Sequence, residues 1–249
     1  MLNLARLRAC VGQQAEETLG REWLHREEQE KLSSLRHPKR HIEWLGGRIC
    51  VKEALSRFFQ QTRPQSTDSA PSLLRIMTAP SGRPILQPGV VTGGSMTPHL
   101  SISHSGDYAM AVAAAVPCGI DIQENRETLG RIKEKFCGAA EEKILARVLA
   151  ALAPLERLSL LWAAKESIKK AANLEPMPGF LELTLHRIDT FGPDRRDCFC
   201  FTLGYVIADR DKPGAMALSP PPFQVLVCLH QNYGIGLCVA PAAPETSHA

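Results

Sequence analysis

The 249-residue chain lacks long apolar runs and has little excess charge of either sign. No segment approaches the roughly 18 consecutive apolar residues of a membrane span, so we expect no transmembrane helix. The net charge of +3, from 29 basic and 26 acidic residues, is too weak to indicate nucleic-acid binding by itself. The first eight residues could be mistaken for a targeting helix. They lack a hydrophobic region and Glu16 and Glu17 follow, so we expect them to be structural.

The sequence also lacks the cysteine and glycine patterns of several common sites. None of its eight cysteines forms a Cys-Xaa-Xaa-Cys pair, which disfavours a zinc site or a disulfide framework. We expect free, mostly buried thiols in a reducing cytoplasm. A Gly-Xaa-Ser-Xaa-Gly nucleophile elbow is missing too. A serine hydrolase that uses Ser103 or Ser105 with His104 is therefore disfavoured, because adjacent strand residues face opposite ways.

The composition is that of an ordinary globular protein, with 44% hydrophobic and 22% charged residues. The length suffices for one large domain or two smaller ones. Hydrophobic periodicity predicts helices over residues 38–59, 131–136, 140–152 and 155–173. It predicts strands over residues 73–78, 100–103, 108–115, 120–123, 181–188, 199–208, 223–229 and 234–240. Polar loops are expected over residues 61–72 and 209–222.

Two short segments occur twice, in the same order. The pair Lys52-Glu53 is repeated as Lys165-Glu166, and the segment that begins at His104 resembles the one that begins at His230. Chance similarity is the alternative for either segment alone. Two repeats in one order predict a duplicated α+β unit. The predicted divisions are an N-terminal repeat over residues 1–116, a C-terminal repeat over residues 117–240 and a tail over residues 241–249.

A short apolar strand carries a carboxylate. In Gly119-Ile-Asp-Ile-Gln123, strand alternation places Asp121 and Gln123 on one face and the two isoleucines on the other. If the isoleucines face the core, Asp121 faces whatever lies opposite. The competing interpretation is a helix cap or a solvated aspartate near a turn.

A second carboxylate lies on the last predicted helix. Trp162, Glu166 and Lys170 recur every four residues and share one stripe, with Lys165 and Lys169 on the adjoining stripe. The alternative is an ordinary amphipathic helix with Glu–Lys pairs, each worth about 0.3–0.5 kcal/mol. Two carboxylates without a neighbouring histidine or cysteine suit Mg²⁺, which completes its shell with water and substrate phosphates. The lysines would then be partners for phosphate charge.

These residues belong to a set of four motifs. The motifs are Gly82-Arg-Pro-Ile-Leu86, Ser101-Ile-Ser-His-Ser-Gly106, Gly119-Ile-Asp-Ile-Gln123 and Trp162-Ala-Ala-Lys-Glu-Ser-Ile-Lys-Lys170. The ordered set resembles the 4′-phosphopantetheinyl transferases, in particular the surfactin-synthetase-activating type, from about Lys31 to Val239. The resemblance implies an α+β fold of two pseudo-symmetric halves, each a small antiparallel sheet packed on a long helix.

The resemblance also implies a reaction. Family members transfer 4′-phosphopantetheine from coenzyme A to a serine hydroxyl of an acyl or peptidyl carrier protein, with Mg²⁺, and release adenosine 3′,5′-bisphosphate. By resemblance, Asp121 and Glu166 would hold the metal, and Lys170 would stabilise charge on the phosphate. Glu166 is also a candidate base for the serine proton, directly or through a metal-bound water. The family often has glutamate where this chain has Gln123, so we expect Gln123 to be a weak or water-mediated ligand.

The resemblance suggests further contacts to coenzyme A. His104 with Ser103, and Arg83 ahead of a stiffening proline, are candidates for the phosphates, as are Lys39 and Arg40. A turn histidine and a solvated basic face are the respective alternatives for His104 and for Lys39 and Arg40.

Phe136, beside Lys135, lies where the family docks its carrier protein, although an ordinary core phenylalanine is the alternative. The family's Ser/Thr capping position there is Gly138, so the following helix would begin less firmly. We expect a cytoplasmic monomer with no nucleic-acid or membrane partner. A catalytically inactive carrier-protein or coenzyme A binding module is the second hypothesis, and Gln123 is the feature that favours it.

Overall fold

The computed structural model describes residues 1–10, 13–62, 70–89, 96–172, 177–192, 197–205 and 221–240. The predicted tail, most of the loop over residues 209–222, part of the loop over residues 61–72 and the predicted helix end at Asn173 lie outside these ranges. The chain divides into two compact units, Met1–Ile122 and Gln123–Ala249. None of the described helices is both long and apolar enough to cross a membrane.

The first unit is built around one long helix. Its helices are α1 (Leu4–Cys10), α2 (Gln13–Trp23), α3 (Arg26–Ser33) and α4 (Pro38–Thr62). Proline suits the first position of α4 because its missing N–H would have no helical partner there. Leu45, Val51 and Leu55 of α4 are completely buried, since the helix packs on two strands of the unit's sheet.

The strands of the first unit form two antiparallel groups. They are β1 (Leu2–Asn3), β2 (Ile76–Thr78), β3 (Pro84–Leu86), β4 (His99–Ser105) and β5 (Tyr108–Ala114). One sheet has the order β1-β5-β4, and β2 pairs with β3. The helix α4 lies against β5 and β4. Strand β6 (Cys118–Glu124) carries the chain from the first unit into the second.

The second unit repeats this plan with a larger sheet. Its helices are α5 (Glu127–Arg131), α6 (Ala139–Val148) and α7 (Pro154–Ala171), and its strands are β7 (Thr184–Thr190), β8 (Cys198–Gly204), β9 (Phe223–His230) and β10 (Tyr233–Val239). The four strands that lie wholly in this unit are antiparallel, in the order β10-β9-β8-β7. The contact of α7 with β10 requires glycine, because a Cβ on Gly236 would lie 2.5 Å from the Ala163 carbonyl oxygen.

The predicted α+β fold of helices with antiparallel sheets is confirmed. The second repeated segment forms a matching hairpin turn in each unit, with positive φ at Gly106 in one and at Gln231 in the other. The predicted repeat boundaries at residues 116 and 240 stay a prediction.

Several predicted elements are wrong in detail. Residues 131–136 do not form a helix of their own, because α5 ends at Arg131 and only a short 3-10 turn, Lys133–Lys135, follows. Strand β7 begins at Thr184, three residues later than expected. Helices α1 to α3 were not predicted.

Candidate active site

Asp121 is held in place by a serine on a neighbouring strand. Its side chain is buried, at 6% exposure, within β6. The Ser103 hydroxyl of β4 donates to Asp121 Oδ1 at 2.8 Å and accepts from the backbone N–H of Ile122 at 3.2 Å. Two residues earlier on each strand, the Ser101 hydroxyl accepts from the Ile120 N–H at 3.0 Å. The two serines therefore satisfy β6 backbone donors, and Ser103 also orients the carboxylate.

This geometry gives Ser103 a positioning role. A phosphate accepts hydrogen bonds, so a serine that binds one must donate its hydroxyl proton. The single proton of Ser103 is directed at Asp121, and its side chain is 6% exposed. Ser103 therefore positions the predicted metal ligand, and its assistance to His104 at a phosphate stays a prediction.

Gln123 and Glu124 follow on the same strand and differ in their partners. The Gln123 amide nitrogen donates to the Glu124 carbonyl at 2.9 Å, so the amide oxygen points away from that carbonyl. Glu124 is paired with Arg126, whose Nε lies 2.7 Å from Glu124 Oε2. Gln123 thus keeps an oxygen donor suited to a hard cation, while Glu124 is committed to an arginine.

Glu166 and Lys170 lie on the half-exposed side of α7. Trp162 and Lys169 share that side, whereas Ile168 on the opposite side is completely buried. The predicted stripe of Trp162, Glu166 and Lys170 is therefore the side of the helix that faces out of the core of the second unit.

Lys165 has a structural role. From the sequence alone, it is grouped with the lysines that would be partners for phosphate charge. It is completely buried, and its Nζ donates to Glu141 and to the backbone carbonyls of Phe136 and Phe180, at 2.9, 2.7 and 2.9 Å. Burial lowers the pKa of Lys165, and the hydrogen bond and charge of Glu141 oppose that shift. The three donors of the ammonium group are thus directed inside the second unit.

Phe136 lies in the core of the second unit. The ring is completely buried and meets the Trp162 ring edge-on, with centroids 5.0 Å apart. Trp162 in turn stacks on Phe180 at 4.8 Å. This burial favours the alternative of a core phenylalanine, and a role of Phe136 in docking a carrier protein stays a prediction.

The missing Ser/Thr cap at Gly138 is compensated. Glu141, three residues into α6, accepts from the Gly138 N–H at 2.8 Å. Its other oxygen accepts from the Leu185 N–H at 2.9 Å. One buried carboxylate therefore caps α6, ties it to β7 and neutralises Lys165.

A cavity of about 260 Å³ in the first unit lies beside His104. Helix α4, the turn between β2 and β3, and β4 supply its walls: Glu43, Trp44, Gly47, Arg48, Thr78, Gly82, Pro84, Ile102 and His104. Glu43 stands between two predicted coenzyme A residues, because its Oε1 lies 3.8 Å from both Lys39 Nζ and His104 Nδ1. The structure thus brings Lys39 and His104 to one place.

Arg83 and Arg40, the other two basic residues predicted to bind coenzyme A, do not line this cavity. Arg83 is half-buried in the β2–β3 turn, between the cavity residues Gly82 and Pro84. That turn needs glycine, since Gly82 has a φ of +83°. Arg40 is exposed on the first turn of α4, next to Lys39.

Sequence reasoning missed Arg48 and Trp44. The Arg48 guanidinium lies 4.6 Å from the centre of the Trp44 ring, and both residues also line a second cavity of about 340 Å³. Arg48 Nε is 3.3 Å from Glu28 Oε1 but makes no hydrogen bond with a described residue. Burial lowers the pKa of Arg48, and the attraction of Glu28 opposes this. The signal in the sequence was the four-residue spacing of Trp44 and Arg48 on one helix face.

The donors of the predicted metal site fit Mg²⁺ chemically. Two carboxylates and one amide oxygen form a hard, oxygen-only set. Among the residues that the structure describes, no group of three or more His, Cys, Asp and Glu side chains could hold a metal. A set of two carboxylates and an amide is a different kind of site, because the amide oxygen is its third donor. Asp121 lies in the first unit, and Gln123 and Glu166 lie in the second.

Comparison with known proteins identifies the family. Residues 117–208 match the model of the 4′-phosphopantetheinyl transferase superfamily. The chain is 30% identical over 99 residues to a holo-[acyl-carrier-protein] synthase of Petrotoga mobilis, a match that covers 37% of this chain and 78% of that protein. It is 32% identical over 146 residues to enterobactin synthase component D of Escherichia coli K12, covering 58% of this chain and 60% of that protein.

The family-model match includes the region that holds β6, α6 and α7. The chain belongs to the 4′-phosphopantetheinyl transferase superfamily and is an enzyme of that class. The surfactin-synthetase-activating subtype is not distinguished by these relatives.

Proposed function

We propose that this protein transfers 4′-phosphopantetheine from coenzyme A to a serine hydroxyl of an acyl or peptidyl carrier protein, and releases adenosine 3′,5′-bisphosphate. The observation that carries the proposal is the retention of Asp121, Glu166 and Lys170 within the segment that matches the superfamily. The orientation of Asp121 by Ser103 supports it, because a buried carboxylate needs a partner to stay ionised.

Asp121 and Glu166 would hold Mg²⁺, with Gln123 as a weak or water-mediated third ligand. When bound, the metal would supply charge neutralisation at the pyrophosphate of coenzyme A. Lys170, one helical turn beyond Glu166, would stabilise the phosphate oxygens as charge develops on them. Glu166 is the candidate to accept the proton from the serine hydroxyl. The half-exposed position of Glu166 and Lys170 on α7 supports both roles, since substrate must reach them.

The nucleotide part of coenzyme A would bind the first unit beside His104, Lys39 and Arg83, with Arg40 as an outer contact. The cavity on α4 supports this assignment because Arg48 and His104 line it and Lys39 lies beside its lining residue Glu43. We add Arg48 to the set. The guanidinium is presented on the Trp44 ring at the wall shared by the two cavities, where an anion would find a donor that is already ordered.

The proposed enzyme is of the surfactin-synthetase-activating type, depends on Mg²⁺ and acts as a monomer in the cytoplasm. Gln123 is the residue that favours the second candidate, an inactive carrier-protein or coenzyme A binding module, because it brings no charge to the metal.

The deciding experiment incubates the full chain with coenzyme A, Mg²⁺ and a panel of apo carrier proteins, and records the intact mass of each carrier. Transfer adds one phosphopantetheine group to the carrier serine, and omission of the metal stops it. A Ser→Ala carrier is the matched control. Binding of coenzyme A or a carrier without any mass shift across the panel would favour the inactive module.

A further inference from the structure

Two cysteines of the second unit face each other across adjacent strands. Cys198 opens β8 and Cys228 lies near the end of β9, and the two are direct partners in the antiparallel ladder. The neighbouring Cys198 thiol is among the groups that raise the pKa of Cys228, as expected for two adjacent thiols. Seven cysteines are described and all are free thiols.

The register places this pair at the site where side chains approach most closely. The Leu229 N–H donates to the Asp197 carbonyl at 2.9 Å, so the adjoining partners Asp197 and Leu229 form the hydrogen-bonded pair. Hydrogen-bonded and non-hydrogen-bonded pairs alternate in an antiparallel ladder, which makes Cys198 and Cys228 a non-hydrogen-bonded pair. Their Cα atoms are then expected about 4.5 Å apart, within the range of about 4.4–6.8 Å that a disulfide spans.

The pair is accessible, in contrast to most of the other thiols. Cys50, Cys118, Cys137 and Cys238 are buried, as expected from the sequence, but Cys198 and Cys228 are half-exposed. They lie on the face of the sheet opposite to Phe199 and Val227, which are buried in the core of the second unit. Both residues are therefore partly exposed to solvent, unlike the four buried cysteines.

We propose that Cys198 and Cys228 form a reversible disulfide that joins β8 to β9, with a low-molecular-weight disulfide such as oxidised glutathione as the oxidant. One cysteine thiolate attacks a sulfur of the oxidant, forms a mixed disulfide and expels one glutathione thiolate. The other cysteine thiolate then attacks the protein sulfur of the mixed disulfide and expels the second glutathione. Two protein thiols are oxidised, the oxidant is reduced to two glutathiones, and the two thiol protons pass to them.

The environment of the Cys228 thiol affects how fast the disulfide is expected to form. Burial raises the pKa of its thiol to about 11, with smaller contributions from Cys198 and Asp197. The thiolate is the reacting form, so ring closure is expected to be slow near pH 7 and to accelerate about tenfold for each pH unit up to the pKa. The disulfide closes a loop of roughly 30 residues, which should raise the thermal midpoint of unfolding by several degrees.

The test oxidises the full chain with oxidised glutathione, blocks the remaining thiols with iodoacetamide and maps the peptides without reduction. We expect one cross-linked peptide pair, Cys198 with Cys228, that disappears after reduction with dithiothreitol, together with a higher thermal midpoint of the oxidised protein. Cys200→Ser is the matched control, because Cys200 lies on the same strand face, two residues from Cys198 and opposite Leu226.

Cys198→Ser and Cys228→Ser should each abolish the cross-link and the redox dependence of the midpoint, while Cys200→Ser keeps both. Folding of each variant is checked by far-ultraviolet circular dichroism. The proposal is overturned if Cys198 and Cys228 are both recovered alkylated or glutathionylated after prolonged oxidation. It is equally overturned if the cross-link joins Cys200. Neither outcome depends on whether the protein transfers phosphopantetheine.

Discussion

Lys165 Nζ lies 2.8 Å from a Glu141 carboxylate oxygen, and both side chains are buried within the second unit. The first unit has the same arrangement, 113 residues earlier in the sequence. Lys52 is completely buried and paired with Glu28, whose other oxygen accepts from the Ile76 N–H as Glu141 accepts from the Leu185 N–H. Each carboxylate also accepts from the N–H just before its own helix, at His25 or Gly138.

The first prediction concerns the stability that this pair provides. Lys165→Met leaves the Glu141 carboxylate buried without a counter-charge, so we expect the free energy of unfolding to fall by about 3–5 kcal/mol. Adding Glu141→Gln should recover part of the loss, because the stranded charge is removed while the amide oxygen can still accept from one of the two backbone N–H groups. Chemical denaturation of the single and double variants measures both effects.

Lys169→Met is the control for the Lys165 and Glu141 variants. Lys169 is half-exposed, and its ammonium lies 4.2 Å from the centre of the Phe180 ring. Its loss should cost about 1 kcal/mol or less. Equal losses for Lys165→Met and Lys169→Met would contradict a structural role for the buried pair.

The second prediction separates a positioning role of Ser103 from coenzyme A binding. Ser101 and Ser103 each accept a β6 backbone N–H, but only Ser103 donates to Asp121. Ser101→Ala and Ser103→Ala should therefore lose similar stability, about 1–3 kcal/mol. Only Ser103→Ala should also weaken Mn²⁺ binding and transfer, by about 10–100-fold. A rise confined to the KM for coenzyme A would instead support direct coenzyme binding by Ser103.

The third prediction tests the proposed metal ligands. Asp121→Ala and Glu166→Ala should each reduce transfer to background, because each removes a charged ligand, whereas Gln123→Glu should be tolerated. Mn²⁺ titration followed by electron paramagnetic resonance gives a readout independent of turnover. Wild-type transfer by either alanine variant would mean that the metal is held elsewhere.

Regular hydrophobic patterns made the main elements predictable, whereas long-range polar partners did not. The sequence located α4, α7 and the hairpin of β4 and β5 to within a few residues, because one face of each is apolar. Helix α3 is short and mostly charged, so it has few apolar residues by which a helix could be predicted. Its buried Glu28 bonds to Ile76, 48 residues away, and no local pattern reports such a contact.

The site shows the same division. Helical spacing correctly put Glu166 and Lys170 on one half-exposed side, but it could not tell that the neighbouring Lys165 is buried. The burial of Lys165 depends on its hydrogen bonds to Glu141, 24 residues earlier, and to the Phe180 carbonyl. Likewise, the sequence could not show that the Ser103 hydroxyl donates to Asp121, because that contact depends on the packing of β4 beside β6.

The fourth prediction concerns the lysine pair at the end of α7. Lys170→Ala should lower kcat by about 10²–10³-fold while the KM for coenzyme A changes little, because stabilisation of developing charge acts mainly in the transition state. Lys169→Ala is the matched control, since its ammonium lies over Phe180. Steady-state kinetics with varied coenzyme A distinguishes the two. If KM rose and kcat did not change, Lys170 would be a ground-state binding residue.

The fifth prediction is a loss of stability in mild alkali. Burial raises the pKa of the Cys118 and Cys137 thiols from 9.0 to about 11. Between these values the unfolded chain loses protons that the folded protein retains, so the free energy of unfolding falls as the pH rises from 9 to 11. Each thiol contributes at most about 1.4 kcal/mol per pH unit.

Below pH 9 both the folded and the unfolded state keep their thiol protons, so Cys118 and Cys137 should not change the free energy of unfolding with pH. Cys118→Ala and Cys137→Ala should each flatten the alkaline slope, and the double variant should flatten it further, even though each variant starts from a lower stability. Urea unfolding at a series of pH values between 8 and 11, in the presence of a reductant, provides the slopes. Cys228, whose pKa burial also raises to about 11, should leave a smaller residual slope in the double variant. A full wild-type slope in the double variant would assign the alkaline loss to other groups, such as Cys228 and Tyr205.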